Sequence, residues 1–285
     1  MKKLFCVSIL AFLTLFLVQP GSAQDWETVK QPDKIFQKGF IQVTGVSDGD
    51  QSRYSAMRAA TVVAQRDLLE IIKGIKLHGH TTVKNGMLEN DTIKSRVQGV
   101  LKGAVKCGKK YYSDQGYARV CMKVYLKGKN GMYNAVLPIV KDNPDVTPEK
   151  ADFESTQETT EQKESQSQTG QSKAFDGLII DVRDHEFKPA LINRVVTQKD
   201  KVLFEPSQVV SDILVERGCG GFTNTPDKAR ALLSSWESDH PMLVKAQGVS
   251  KTTDARISSN KASRIYKSDS RTNFLSKAKV VFVLD

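Results

Sequence analysis

The sequence predicts an α+β protein: two folded units joined by a disordered linker. Residues 35–140 and 174–285 both alternate runs of β-branched residues with apolar residues at helical spacing. Between them, residues 144–173 are dense in Glu, Gln, Ser and Thr and carry almost no large apolar side chains. Such a segment cannot bury enough apolar surface to offset the entropy of an ordered chain. The length of 285 residues also suits two domains, given about 150 residues for a typical domain.

The first unit, 35–140, is predicted to have the order β-α-β-α-β-β. Residues 40–46 are rich in β-branched side chains and predict the first strand. A long helix is predicted over 51–73, capped by Asp50. Its many alanines on one face would let it lie close to a sheet.

The remaining elements complete a two-layer unit. Residues 81–83 fit a second strand, and Asn90 can cap a second helix over 91–101. Residues 103–112 and 117–126 predict a hairpin. We therefore expect two helices to cover one face of a sheet.

The hairpin carries two cysteines, Cys107 and Cys121. Folding it about Asp114 places them opposite each other, where a cross-strand disulfide bond could form. A shift of one residue in register would place them on opposite faces of the sheet. The sequence therefore does not decide whether this disulfide bond forms. The third cysteine outside the N-terminal segment, Cys219, is predicted to be a small buried residue, because no base is evident beside it.

The second unit, 174–285, is predicted to be of α/β type. Its elements are strands over 177–182 and 279–283, a hairpin over 194–196 and 202–204, helices over 207–217 and 228–236, strands over 243–248 and 255–258, and a short helix from Ser259 or Asn260 to about Tyr266.

No catalytic motif, cofactor motif or zinc motif is present in the sequence. The best polar cluster follows strand 177–182 and centres on Asp181 and Arg183. Charged groups in that position can form an active site. We favour a structural pair, because no nucleophile accompanies them. His78 and His80 could share a metal, but a third ligand is missing nearby. We therefore predict no catalytic residues, metal or cofactor.

The N-terminus has the three parts of a secretory signal peptide. Lys2 and Lys3 precede an apolar run over 4–18, and small residues follow at 21–23. We expect a signal peptide over 1–23, cleaved between Ala23 and Gln24. Because no Cys follows Ala23, a lipid anchor is not expected. No later stretch is long and apolar enough to span a bilayer. This predicts a periplasmic protein, with association to the outer membrane as a further option.

The formal net charge is +10, from 42 Lys and Arg against 32 Asp and Glu. A basic balance is consistent with an ordinary solvated surface, and also with binding of anionic envelope polymers such as peptidoglycan or lipopolysaccharide. Nucleic acid is not an expected partner, because the export signal places the protein in another compartment.

The first unit resembles the domain of the LPP-type outer-membrane lipoprotein family, named for a twenty-kilodalton surface lipoprotein. It is similar also to the N-terminal domain of the flagellar assembly protein FlgT and to FlgP. The residues that carry the resemblance are Gly45-Val46, the alanine-rich helix from Ala56 to Leu69, Ser95-Arg96-Val97, and the hairpin from Gly103-Ala104-Val105 to Val124-Tyr125-Leu126.

The second unit resembles one often found behind this domain in exported bacterial proteins. Its marks are 177–183, Lys188-Pro189-Ala190 and 280–285. The resemblance implies non-enzymatic work at the envelope, in several members as part of flagellar basal-body or outer-membrane assembly, with envelope or flagellar proteins as partners. The anchoring Cys of the lipoprotein members is absent here, which fits a periplasmic member better than an anchored one.

Overall fold

The computed structural model describes residues 26–141 and 173–285, and the structural statements below concern these residues. The predicted signal peptide over 1–23, with its cleavage point between Ala23 and Gln24, lies outside them. The predicted linker over 144–173 also lies outside them, except for Lys173.

The N-terminal unit is built on an antiparallel sheet of three strands in the order β1-β5-β4. Helix α2 lies across this sheet through a stripe of buried alanines, which include Ala60 and Ala64. Gly45 of β1 makes the close approach possible, because a Cβ at this position would lie 2.1 Å from the Ala60 carbonyl oxygen. The elements are α1 (Pro32–Lys38), β1 (Phe40–Val46), α2 (Arg53–Gly74), β2 (Lys76–His78), β3 (Thr81–Thr82), α3 (Val83–Glu89), α4 (Asp91–Lys102), β4 (Val105–Tyr112), β5 (Tyr117–Tyr125) and α5 (Met132–Lys141).

The α+β class is confirmed. In the first unit, α1, β2, α3 and α5 were not predicted, and three details of the predicted elements differ. Strand β3 pairs with β2 in a separate two-stranded hairpin and does not join the main sheet. Helix α4 packs on α3 and α5 and does not cover the sheet. Helix α2 begins after Ser52, whose side chain accepts a hydrogen bond from the Ser55 backbone N–H, because Asp50 adopts a left-handed turn conformation (φ 54°). One helix alone therefore covers a sheet of three strands.

The C-terminal unit contains two four-stranded sheets. The first is all parallel, in the order β10-β6-β13-β9, and the second has the order β11-β12-β7-β8. The elements are β6 (Gly177–Asp181), β7 (Arg194–Thr197), β8 (Val202–Phe204), α6 (Ser211–Arg217), β9 (Gly221–Thr223), α7 (Pro226–Ser234), β10 (Pro241–Lys245), β11 (Gly248–Ser250), β12 (Asp254–Ile257), α8 (Ser259–Thr272) and β13 (Val280–Val283). A 3-10 turn, Pro206–Gln208, takes the place of the first residues of the helix predicted over 207–217.

The two units contact each other, which the expectation of domains on a flexible tether did not include. Hairpin β2–β3 lies against the loop before β7, where the backbone N–H of Ile192 donates to the Leu77 carbonyl at 2.8 Å. At the hairpin tip, the Gly79 N–H donates to Thr253 Oγ1 at 2.8 Å. The rings of Phe36 and Phe222 also meet, with their centroids 5.1 Å apart. One apolar cluster runs through both units, so they share a core.

None of the described helices is long and apolar enough to cross a membrane.

Candidate binding surfaces

The polar cluster predicted after strand β6 is internally paired. Asp181 accepts two hydrogen bonds from the Arg183 guanidinium, at 2.9 Å from Nε and 2.7 Å from Nη2. The hydrogen bond from Arg183 is the largest influence on Asp181 and lowers the pKa of its carboxyl. The structure thus pairs Asp181 with Arg183, which is the pairing that we favoured from the sequence.

Two other polar side chains at this end of the parallel sheet also have partners. Asp184 forms an ion pair with Lys245, and its pKa is lowered by that hydrogen bond. The His185 ring nitrogen Nε2 lies 3.1 Å from the Ala246 carbonyl oxygen. A depression of about 350 Å³ lies here, at the carboxyl ends of β6 and β13, which is where parallel sheets commonly bind ligands. Its lining contains more acidic than basic residues: Asp33, Asp184, Glu186 and Asp285 against Arg183 and Lys188.

Within the part of the chain that the structure describes, no third ligand joins His78 and His80. The described residues contain no group of three His, Cys, Asp or Glu side chains that could hold a metal ion. His78 lies at the contact between the units, and burial, followed by the charge of Arg194, lowers the pKa of its imidazole.

Three ionisable residues are buried beside His78. Arg194, Glu205 and Asp254 are 9%, 2% and 5% exposed. The Arg194 Nε atom lies 3.4 Å from Glu205 Oε2. Burial raises the pKa of the carboxyls of both Glu205 and Asp254. Together with His78 of the N-terminal unit, this cluster places ionisable groups of both units at their contact.

Cys219 is buried, as the sequence predicted. Its Sγ donates to the Leu191 carbonyl oxygen at 2.6 Å, and burial raises its pKa well above the usual range for a thiol. A thiol that is protonated and inaccessible is a poor nucleophile.

Cys107 and Cys121 form a disulfide bond, with their Cα atoms 5.1 Å apart. The register near the turn pairs Gly108 with Cys121, one residue away from the predicted alignment about Asp114. A β-bulge between Lys106 and Gly108 absorbs the difference and brings Cys107 beside Cys121. The bond thus ties β4 to β5 at the irregular point of the hairpin.

The outer face of the main sheet, opposite α2, is covered by aromatic and basic side chains. Along β5 the buried residues Ala118, Val120 and Val124 face α2 and alternate with outward residues such as Tyr117 and Tyr125. We call this surface the aromatic face, and it consists of Trp26, Phe40, Tyr112, Tyr117 and Tyr125 with Lys110, Arg119 and Lys123.

The rings on the aromatic face contact one another across the strands. Tyr112 stacks on Tyr117 with centroids 4.4 Å apart, and Phe40 meets Tyr125 edge-on at 6.3 Å. Trp26 lies over Gly108, where a Cβ atom would come within 2.3 Å of the indole ring. Glycine is therefore needed under this ring.

Each cation of the aromatic face lies over a ring. The Lys123 ammonium is 4.2 Å from the Phe40 centroid, and the Lys110 ammonium is 4.8 Å from that of Tyr112. The Arg119 guanidinium is 6.0 Å from the Trp26 ring. Such cation–π contacts fix the positions of long side chains that would otherwise be flexible. Sequence reasoning missed this surface, although the period-two spacing of Tyr117, Arg119, Lys123 and Tyr125 indicates that they share one face.

The positive charge lies mostly in the N-terminal unit. Residues 26–141 contain 20 Lys and Arg against nine Asp and Glu, whereas residues 173–285 contain 18 against 14. Any long-range attraction for anions therefore acts mainly through the unit that carries the aromatic face.

Comparison with protein families gives a match to the C-terminal unit. Residues 177–285 match the family described as Treponema pallidum Tp0624, second domain. The match covers 177–285 alone, so it shows what the C-terminal unit is similar to. No curated protein matches the chain.

Proposed function

We propose that this chain is a non-enzymatic exported protein of the cell envelope that acts by protein–protein binding. It would serve as a periplasmic assembly or structural factor linked to the flagellar basal body or the outer membrane, as the resemblance of the first unit to the LPP-type and FlgT-like domains implies. The observation that carries the binding role is the aromatic face.

The aromatic face has the composition of an interface centre. Tyr, Trp and Arg are enriched among residues that dominate binding energy, and large rings lose little conformational entropy when a partner orders them. Tyr125 is 47% exposed at one end of the face, and Val46, which pairs with Arg119 towards the other end, is 46% exposed. The disulfide bond beneath the surface holds β4 and β5 together, so the rings are positioned before a partner arrives.

A second candidate function is binding of anionic envelope polymers such as peptidoglycan or lipopolysaccharide. The observation in its favour is the concentration of positive charge in the N-terminal unit. Attraction between exposed charges is screened over about 8 Å at physiological ionic strength and over about 3 Å at 1 M salt. Polymer binding would therefore weaken steeply as salt is added.

Salt dependence separates the two candidates. The mature protein is immobilised and incubated with solubilised envelope proteins, or with purified peptidoglycan or lipopolysaccharide, at low and at high salt. We expect a specific protein to be retained at high salt by the wild type and by Leu88→Ser, and to be lost with Tyr125→Ser. Leu88 is the matched control, because it is an apolar residue 78% exposed on α3, away from the aromatic face. Retention of polymer alone, lost at high salt, would instead support the second candidate.

A further inference from the structure

A groove runs along the exposed side of α2. This helix packs on β1 and β5 but scarcely reaches β4, so the inner face of β4 is open. The resulting depression between α2 and β4 has a volume of about 490 Å³. A second depression of about 440 Å³ continues it between α2 and α4, and the two share Val62 and Gln65. We call the two together the basic groove.

The basic groove combines an apolar floor with a cationic rim. Tyr54 and Val62 belong to the apolar lining, and at 76% and 48% exposed they are open to a partner. Among the described residues that line the groove there is no Asp or Glu. The apolar lining is Tyr54, Met57, Val62, Leu69, Leu101 and Val120, and the cations are Arg53, Arg58, Arg66, Lys102, Lys106 and Lys109.

We propose that the basic groove binds an acidic amphipathic helix of a partner protein. The lining of α2 extends from Arg53 to Leu69, which at about 1.5 Å per residue is about 24 Å, or more than four helical turns. A helix of that length would place apolar residues on the floor and Asp or Glu against the rim. Binding of an amphipathic helix in an apolar groove is a recurring mode of recognition.

The apolar floor decides between this occupant and a hydrophilic polyanion. A polymer that carries only charge would pair with the rim and leave Tyr54 and Val62 in water, so it gains nothing from them. A bilayer surface would contact Tyr54, which protrudes, but it would not reach Met57 and Val120 between α2 and β4. An acidic amphipathic helix matches both features of the basic groove, because its acidic residues can pair with the rim and its apolar residues can cover the apolar lining.

The inference deepens the proposed protein-binding role, and it concerns a surface separate from the aromatic face. The basic groove lies on the α2 side of the sheet, where Lys106 and Lys109 are located, whereas Lys110 and Tyr112 lie on the other side. The two surfaces can therefore be tested independently with variants of each.

Binding of a synthetic peptide tests the proposal. The probe is a fluorescent 18-residue peptide with Leu and Glu at amphipathic helical spacing, titrated with the mature protein in anisotropy measurements. Two other probes are poly-glutamate of equal charge and vesicles that contain phosphatidylglycerol. We expect the amphipathic peptide to bind at least about tenfold more tightly than poly-glutamate, because only the peptide covers the floor.

Variants locate the site. Arg58→Glu combined with Lys106→Glu reverses two rim charges, and Val62→Asp places a charge on the floor. Each should weaken peptide binding at least about tenfold. The matched control is Arg230→Glu, an exposed arginine on α7 of the other unit, which should leave binding unchanged. Because Arg58 and Val62 are exposed, the variants should fold, and their circular dichroism and thermal unfolding check this.

The possible outcomes each decide the matter. Equal binding of poly-glutamate and the peptide would overturn the proposal in favour of a polyanion site, and binding of vesicles without the peptide would overturn it in favour of a lipid surface. No peptide binding, or binding unaffected by both groove variants, would also overturn it. None of these results touches the aromatic face, so the Tyr125→Ser result stands separately as the test of the proposed function.

Discussion

Gly218 offers the sharpest test of how the two units fit together. It follows α6 with φ 78° and ψ −163°, a backbone region that essentially only glycine occupies. The ring of Tyr133, from α5 of the N-terminal unit, packs directly against it, and a Cβ at residue 218 would lie 2.4 Å from the ring. Tyr133 is 1% exposed, so it has no free space into which it could move.

Two costs add in Gly218→Ala. Backbone strain in this region costs about 1–3 kcal/mol, and overpacking of a filled core costs about 1–3 kcal/mol. We expect the free energy of unfolding to fall by about 2–6 kcal/mol in total. The matched variant is Gly39→Ala, at a left-handed position (φ 75°, ψ 17°) with nothing within 4 Å, where only about 1–2 kcal/mol of strain is expected.

The two tryptophans allow each unit to be followed separately in guanidinium unfolding. Trp26 lies in the N-terminal unit and Trp236 in the C-terminal unit, where the Lys127 ammonium of the other unit lies 5.6 Å from its ring, so single-tryptophan variants give one reporter in each unit. Because the units share a core, we expect both reporters to unfold in one transition and to shift together in Gly218→Ala. If Gly218→Ala costs no more than Gly39→Ala, or if only the Trp236 transition shifts, Tyr133 does not join the units as described.

Three further predictions concern the disulfide bond, His78 and Gly45. Reducing the Cys107–Cys121 bond, or replacing both residues by Ser, should lower the free energy of unfolding by about 3 kcal/mol, because the bond closes a loop with a sequence separation of 14. An unchanged denaturation midpoint under reducing conditions would contradict this. The pKa of His78 is lowered in the folded protein, so its neutral form contributes stability that is present above its ordinary pKa of about 6.5 and is lost as pH falls. In denaturation curves from about pH 7.5 to about pH 5, the wild type should therefore lose stability relative to His78→Gln. A constant difference between the two proteins would refute the assignment. Gly45→Ala should destabilise the protein by about 3 kcal/mol or more in thermal unfolding, because its Cβ would meet the backbone of α2. The control, Gly99→Ala on the open side of α4, should stabilise it by up to about 1 kcal/mol. Equal effects would show that α2 does not approach β1 at Gly45.

Hydrophobic periodicity was sufficient to predict the long elements. The alanines of α2 and the β-branched runs of β1, β6 and β13 place these elements within a few residues of their predicted bounds. Asn90 caps α4 as expected, with its side chain accepting from the Ile93 N–H at 3.2 Å. Such signals are local, and a single stretch of sequence contains all of them.

Short or irregular elements escaped prediction for identifiable reasons. Strands β9 and β11 have three residues each, too few to show alternation. Helix α5 contains Pro138, which normally argues for the end of a helix. Helix α1 has Pro32 at its start and Gly39 at its end, but its seven residues span only two turns.

The contact between the units and the two binding surfaces depend on contacts between distant segments of the chain, which local sequence patterns do not predict. Backbone hydrogen bonds join β2 to the loop before β7. Because almost every residue carries the same backbone donor and acceptor, the sequence does not indicate which segments will pair. The aromatic face needs the register of β4 against β5, and that register depends on a bulge. The basic groove exists because α4 packs on other helices and leaves β4 uncovered, which is a consequence of tertiary packing.

Site-specific photo-crosslinking in living cells tests most directly whether the aromatic face is the surface that binds a partner. A photoreactive phenylalanine analogue replaces Tyr125 on the aromatic face or Leu88 on α3, since both are exposed apolar positions of the same unit. The account predicts that the residue 125 variant forms one discrete cross-linked product with an envelope protein and that the residue 88 variant does not. No product at residue 125, or the same product at both positions, would contradict it.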